Sequence, residues 1–283
     1  MAKSMTGRDY ATPFTMLHAA SLLGQKSRLE KFRKAIREAV KEGDYVVDLG
    51  TGSGVLAIMA AKAKAGRVTA IEINPEAIDY ASRAARLNGV ENVVEFVQCN
   101  FSDFVPNVRA DVVICEMLSS MMLVEQQIPA SVHAVESILK PGGILLPQDV
   151  TIFLVPVESP ETWGKFRFQE IQFPQVVQTA TQETTRDLAD MKVLESLKLM
   201  SLKQNTTIDE TLRFTIVDKG TIHGLVGAFE ARLFGDIQLK MEDGWKQLFI
   251  PMEQPIEVSS GDVFTVRVVY QPGKYDSLSI EIL

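Results

Sequence analysis

Cysteine, histidine and tryptophan are scarce in this chain: two, three and two residues among 283. Cys99 and Cys115 lie in or beside apolar runs without CxxC spacing, so no zinc site is expected and both read as buried, reduced thiols. Long apolar runs are missing too. No segment reaches the roughly 20 apolar residues that a membrane span requires, and the opening MAKSMTGRDYATP lacks the apolar stretch of a secretory leader. A cytoplasmic protein with no membrane partner is the expectation. Nor is there an excess of positive charge: Lys and Arg total 29 against 36 Asp and Glu, a net charge of −7. That balance argues against a surface that is one broad nucleic-acid footprint. Internal repeats and low-complexity tracts are also absent.

What is present is an ordinary globular composition, 46% hydrophobic and 23% charged, on a chain long enough for two modest domains. The one basic stretch, KSRLEKFRKAIREAVK at 26–41, repeats Leu29, Phe32, Ile36 and Val40 at helical spacing and reads as an amphipathic helix with a solvated basic face. From about residue 44, strand candidates YVVDLG, VTAIEI, VVEFVQC, DVVICE and ILLP alternate with helix candidates LAIMAAKAKA, EAIDYASRAARLNG and QQIPASVHAVESILK. Strands separated by helices predict βαβ units and a parallel, doubly wound sheet. After about residue 150 the texture changes to TIFLVPVE, LRFTIVD, LVGAFEARL, KQLFIPM, DVFTVRVVY and SLSIEIL, separated by DKG, EDG, SSGD and QPGK. Such runs predict an antiparallel barrel or sandwich. The expected division is an N-terminal helical segment over 1–43, an α/β domain over 44–150, and a predominantly β, barrel-like domain over 151–283 with a short helical insertion near 181–200.

VVDLGTGSGVL, residues 46–56, is a strand entering a glycine-rich turn and then a helix. Gly50, Gly52 and Gly54 let a ligand approach the backbone, where it meets the free N–H groups of a helix start. Glu72 ends the next strand 18 residues beyond Gly54, where a carboxylate can hold the two hydroxyls of a ribose. A dinucleotide loop reads GxGxxG, but this one is GxGxG with Val55 in the third place. A GxGxG loop preceded by an acid, here Asp48, resembles the S-adenosylmethionine site of Rossmann-like methyltransferases. That resemblance implies cofactor contacts from Asp48, Gly50, Thr51, Gly52, Gly54, Glu72, Ile73 and Glu116. It also implies an adenine flanked by Asn100, Phe101, Ser102 and Asp103, although Ser102 and Asp103 also suit a plain cap or turn.

The stretch ICEMLSSMMLVEQQ carries Glu116 and Glu125, nine residues apart in apolar surroundings. In an open α/β sheet the ligand lies beyond the carboxyl ends of the strands, and Glu116 emerges there from the fourth. Two neighbouring carboxylates repel unless a cation lies between them, and a planar guanidinium with five donors satisfies both. Glu-x8-Glu after the fourth strand resembles the double-glutamate loop of the protein arginine methyltransferases. The order GTGSG, Glu72, Glu116, Glu125, KPGGILLP and the switch to a β-domain after Pro147 resemble that family as well, as do IHGLVGAFEARL and GWKQLFIPMEQPIEVSSGD.

The resemblance implies methyl transfer from S-adenosylmethionine, leaving S-adenosylhomocysteine, to an arginine side chain of a protein. Glu116 and Glu125 would be catalytic, with Met117 and Trp245 at the acceptor. The family's Thr-His-Trp stretch aligns with Asp243, Gly244 and Trp245, which keep the tryptophan alone. Tyr10 and Phe14 are candidates to cover the cofactor, and Lys26 or Arg28 to pair with its carboxylate. The family's dimerisation arm would fall within 181–200, and a homodimer is expected. Two alternatives stay open: an RNA methyltransferase built on the same cofactor domain, and a cofactor-binding protein without transfer activity.

Overall fold

The computed structural model describes residues 15–283; Tyr10 and Phe14 lie outside the described residues. Helices α1 (Met16–Ser21) and α2 (Lys26–Ala39) lead into the α/β unit. Its strands are β1 (Tyr45–Leu49), β2 (Arg67–Glu72), β3 (Val94–Gln98), β4 (Ala110–Cys115) and β5 (Leu139–Leu146), connected through α3 (Val55–Lys62), α4 (Pro75–Leu87) and α5 (Gln127–His133). The sheet order is β3-β2-β1-β4-β5 with every pairing parallel. Parallel strands place their carboxyl ends on one edge, so Gly50, Glu72, Asn100 and Glu116 follow four strands to the same side. Chain reversal between β1 and β4 at the sheet centre opens a crevice there. Central strands β1 and β4 are buried over nearly their whole length, as strands covered on both faces must be.

Strand β6 (Asp149–Glu158) opens the second domain, followed by α6 (Pro160–Gly164), β7 (Arg167–Phe168), β8 (Ile171–Gln172), β9 (Gln178–Thr179), β10 (Arg186–Asp187), β11 (Lys192–Lys198), β12 (Ile208–Thr215), β13 (Gly220–Phe234), β14 (Ile237–Leu239), β15 (Leu248–Val258), β16 (Val263–Tyr270) and β17 (Ser279–Ile282). One antiparallel sheet runs β10-β6-β13-β15-β9, with β11 on β6 and β14 on β13; a second runs β12-β16-β17. The architecture is thus a Rossmann-like parallel sheet followed by antiparallel β-structure. A continuous core joins the halves, with Phe32 and Ile36 of α2, Val47 of β1 and Leu118 packed in the same cluster as Leu154, Phe229 and Tyr270.

The expected helical insertion near 181–200 is corrected by the structure: apart from single turns at 182–184 and 199–201, the segment carries strands β10 and β11. The physical reason is a bulge. Pairing with β6 shifts between Val193 and Glu195, leaving Leu194 as an extra residue, and Leu194 and Leu197 are both buried. An inserted residue brings side chains three apart onto one face, and that spacing imitates a helix in sequence.

Candidate active site

The glycine loop is built as its sequence requires. Gly50, Gly52 and Gly54 have φ of +70°, +52° and +78°, the left-handed region open to glycine. Gly50 and Thr51 N–H donate to the Ile71 carbonyl, each at 2.9 Å, tying the turn to β2. Gly52 N–H donates to Glu72 Oε2 at 2.9 Å, while Ile73 and Asn74 N–H reach Oε1 at 2.8 and 2.9 Å. Glu72 is thereby fixed at the end of β2 beside the loop. A Cβ on Gly54 would lie 2.8 Å from Ala81 Cβ on α4.

Asp48 is enclosed beneath this turn. Thr51 Oγ1 donates to its Oδ2 at 2.6 Å; burial pushes the carboxyl up to about 7, against the Thr51 and Ala57 hydrogen bonds. A carboxyl raised in the fold above its unfolded value near 3.9 contributes stability below about pH 4 and loses it as pH rises through 7. Asp48→Asn keeps an acceptor for Thr51, so it is expected to be more stable than wild type at pH 8 by on the order of 2 kcal/mol and equal to it at pH 4. Urea melts at the two pH values measure this, and equal midpoint differences at both would refute it.

Beyond β3, Asn100 caps the turn Phe101–Asp103 by accepting from Ser102 N–H at 3.0 Å. Ser102 Oγ reaches Asp103 Oδ1 at 3.3 Å. The Phe101 and His133 rings lie with centroids 6.5 Å apart, and His133 Nε2 is 2.8 Å from the Phe104 carbonyl oxygen. The cap is therefore Asn100, while Ser102 and Asp103, read as cap or turn residues, lie within the turn it closes.

The loop carrying the glutamates is held at many points. Met117 N–H donates to Gln127 Oε1 at 2.9 Å, and Glu125 N–H to Ser119 Oγ at 3.1 Å. The β-domain supplies further ties: Trp245 Nε1 donates to the Leu118 carbonyl at 2.8 Å, Ser120 Oγ to the Lys246 carbonyl at 2.6 Å, and Tyr270 Oη to the Met121 carbonyl at 2.8 Å. Met121 and Met122 both have positive φ, 59° and 53°, a conformation that costs a non-glycine residue about 1 kcal/mol or more. Gly227 on β13 makes room for the first of them, since a Cβ there would stand 2.3 Å from Met121 Sδ. Met117 packs in the other direction, its Cε 3.2 Å from where a Gly50 Cβ would be.

Glu116 meets a guanidinium supplied by the protein itself. Arg28, on the buried face of α2, forms an ion pair with Glu116 in which the side chains are 7% and 12% exposed. Burial lowers the Arg28 guanidinium to about 10, opposed by the charge of Glu125. Burial likewise raises the Glu125 carboxyl to about 7, opposed by Arg28. The Arg28 guanidinium also lies 5.2 Å from the Trp245 ring centroid. Of the two candidate cations from the sequence, Arg28 enters the site and Lys26 is exposed. Trp245 also touches the site through its edge-on contact with Phe229, centroids 5.3 Å apart.

Sequence reasoning missed Gln25, Gln127, Ser120, Tyr270 and the anchoring role of Asp243. Asp243 Oδ1 accepts from Ser27 Oγ at 2.5 Å and its Oδ2 from Lys31 Nζ at 2.6 Å, so the barrel-side loop grips α2. The only advance signal was Asp243's place in the Asp-Gly-Trp stretch. Among the described residues, no group of His, Cys, Asp and Glu could hold a metal ion, and no helix is long and apolar enough to cross a membrane.

Such a parallel sheet with its strand-end loops, followed by antiparallel β-structure, is the methyltransferase fold with a β-domain appended. A family model described as the TRM5/TYW2 methyltransferase domain matches residues 23–144. A probable protein arginine N-methyltransferase 6 of Arabidopsis thaliana is 31% identical over 145 residues, 50% of this chain and 33% of that protein. An arginine N(omega)-methyltransferase of Streptomyces achromogenes is 26% identical over 273 residues, 88% of this chain and 74% of that protein. The solved structure of Arabidopsis thaliana protein arginine methyltransferase 10 matches with a TM-score of 0.76 at 17% identity, covering 98% of each chain. The chain spans about half or less of the length of the first curated relatives it matches. It is similar to the protein arginine methyltransferases in sequence over about half of its length or more and in fold across nearly its whole length.

Proposed function

We propose that the chain is an S-adenosylmethionine-dependent methyltransferase whose acceptor is an arginine side chain of a protein. The observation that carries this reading is the guanidinium of Arg28 held against Glu116, at the strand edge that also carries the glycine loop, with the charge of Glu125 acting on it. A site that takes one guanidinium has the shape and charge to take another.

The residues present fit the cofactor. Three left-handed glycines leave a cradle beside Glu72, whose position suits a ribose diol. Arg28 Nε is buried without a hydrogen-bond partner, a donor matched to a carboxylate. When bound, the cofactor supplies an electrophilic methyl group on a sulfonium. The protein's part is then alignment and exclusion of water, worth up to roughly 7–11 kcal/mol at ideal geometry. Glu116 and Glu125 hold the acceptor guanidinium and localise its charge, leaving one nitrogen free to attack. The leaving proton needs no strong base if it departs after the methyl has arrived. Exposed Phe168, Ile171 and Phe173 around β7 and β8 support self-association as a homodimer.

Gly54→Ala bears on the cofactor half alone. The substitution forces a side chain into left-handed backbone and against Ala81, so it is expected to cost about 2 kcal/mol of stability and to weaken S-adenosylhomocysteine at least about tenfold. Thermal melts and calorimetric titration measure both, and unaltered binding would remove the glycine loop from the cofactor site.

The function itself is tested by transfer of labelled methyl into a cell extract divided into protease-treated, nuclease-treated and low-molecular-weight portions. Label lost to protease and absent with Glu116→Gln supports the proposal. Label lost to nuclease, or confined to small molecules, would replace the acceptor class. Tight cofactor binding with no labelling of any portion would favour a protein without transfer activity.

A further inference from the structure

Arg28 carries three nitrogens, and the protein settles two of them. Its Nη2 is paired with Glu116, and its Nη1 donates to Gln25 Oε1 at 3.3 Å, which leaves Nε buried and without a partner. A guanidinium is planar, so holding two of its nitrogens fixes the direction of the third N–H. The hold on Nη1 is anchored outside α2. Gln25 occupies the cap position of that helix yet makes no side-chain cap; its Nε2 donates instead to the carbonyl of Gly244, 219 residues away, at 3.1 Å. Gly244 makes room for the amide: its φ is +136°, and a Cβ there would run into Gln25 Cδ and Oε1. Asp243 ties the same turn to α2 through Ser27 and Lys31, and the Trp245 ring stands beside the guanidinium.

We propose that Gln25 is a positioning residue for the methyl donor: seated on Gly244, it orients Arg28 so that the unpartnered Nε–H is left for the carboxylate of the cofactor's amino-acid portion. This rests on the cofactor half of the function proposed above and is independent of the acceptor. A neutral amide is what the position requires. Its oxygen accepts from Arg28 while its nitrogen donates to Gly244. A carboxylate in its place would repel the Gly244 carbonyl and compete with the cofactor for a cation that Glu116 already neutralises in part. The consequence is preference for the complete cofactor over its nucleoside fragments. Through one backbone carbonyl the β-domain takes part in that preference, although Gly244 touches Gln25 and not the glycine loop.

The test is calorimetric titration of the full chain with two ligands that share the nucleoside and the sulfur: S-adenosylhomocysteine, and methylthioadenosine, which lacks the amino-acid portion. Gln25→Ala is expected to weaken S-adenosylhomocysteine at least about fivefold and to change methylthioadenosine by less than about twofold. Arg28→Lys keeps a cation beside Glu116 but offers no fork for Gln25 to hold, so adding Gln25→Ala to it should cost less than about a further twofold. Undiminished S-adenosylhomocysteine binding by Gln25→Ala, an equal loss for both ligands, or a loss that persists in full alongside Arg28→Lys overturns the proposal. A wild type that binds neither ligand overturns the cofactor assignment itself. A wild type that prefers S-adenosylhomocysteine, with a Gln25→Ala that keeps the same preference, refutes the role of Gln25 alone.

Discussion

Glu116→Gln is expected to reduce methyl transfer more than about 30-fold, a loss above about 2 kcal/mol, with cofactor affinity changed by less than about threefold. Glu125→Gln should fall by a similar factor. Each substitution leaves an amide of the same size and removes one of two charges that hold and polarise the acceptor. In stability the two variants should diverge. Glu116 is the carboxylate in the buried ion pair with Arg28. Removing it strands a buried cation, and breaking such pairs costs about 3–5 kcal/mol in the limit of full burial. Glu125 has its carboxyl raised to about 7 by burial. Its ionisation therefore opposes folding: the contribution to stability is present below about pH 4.5 and lost as pH rises through 7. Above pH 7, Glu125→Gln escapes that penalty and should be at least as stable as wild type. Steady-state transfer and thermal melts at pH 8 give both readings. Equal activity of either variant and wild type would end the clamp assignment.

Trp245→Ala is the second large effect, expected at about 3 kcal/mol of stability together with loss of at least about 90% of transfer. The indole makes three separate contacts that converge on the clamp: its N–H on the Leu118 carbonyl at 2.8 Å, its edge on Phe229, and its face toward Arg28. Truncation frees the loop between the glutamates and removes the wall beside the guanidinium. Trp245→Phe keeps the ring and loses the hydrogen bond, so it should recover all but about 1 kcal/mol. Denaturant melts and transfer rates on the pair separate packing from hydrogen bonding. If the phenylalanine variant behaves like the alanine one, the Leu118 hydrogen bond carries the effect.

Much of this is legible in the sequence. Alternation of apolar strands with helices defined the parallel sheet, and strand ends define where Gly50, Glu72 and Glu116 emerge. Short-range rules sufficed because a residue's place at a strand end is a local property. Convergence of Arg28 on Glu116 is different in kind, since it depends on how α2 packs against a turn more than 200 residues away, at Gly244. Helical periodicity does set Arg28 on the face of Phe32 and Ile36, but a charge in a basic amphipathic stretch reads as solvent-facing, and Arg28 is 6% exposed. The missed strand β11 shows a second limit. Its bulge at Leu194 places apolar residues three apart, and no local pattern separates that spacing from a helix.

The β-domain's hold on the glutamate loop, through Tyr270, Trp245, Lys246 and the space left by Gly227, makes the setting of that loop a joint property of both halves of the chain. Residues 23–144, the portion matched by the TRM5/TYW2 methyltransferase domain model, contain Glu116, Glu125 and the ties on their loop from Ser119 and Gln127, but not those from the β-domain. On the proposed function, a change of acceptor can therefore arise in the second half of the chain without touching the glycine loop or either carboxylate. Conversely, a chimera that joins this first half to another protein's β-domain should keep its methyl donor and take its choice of acceptor from the newcomer.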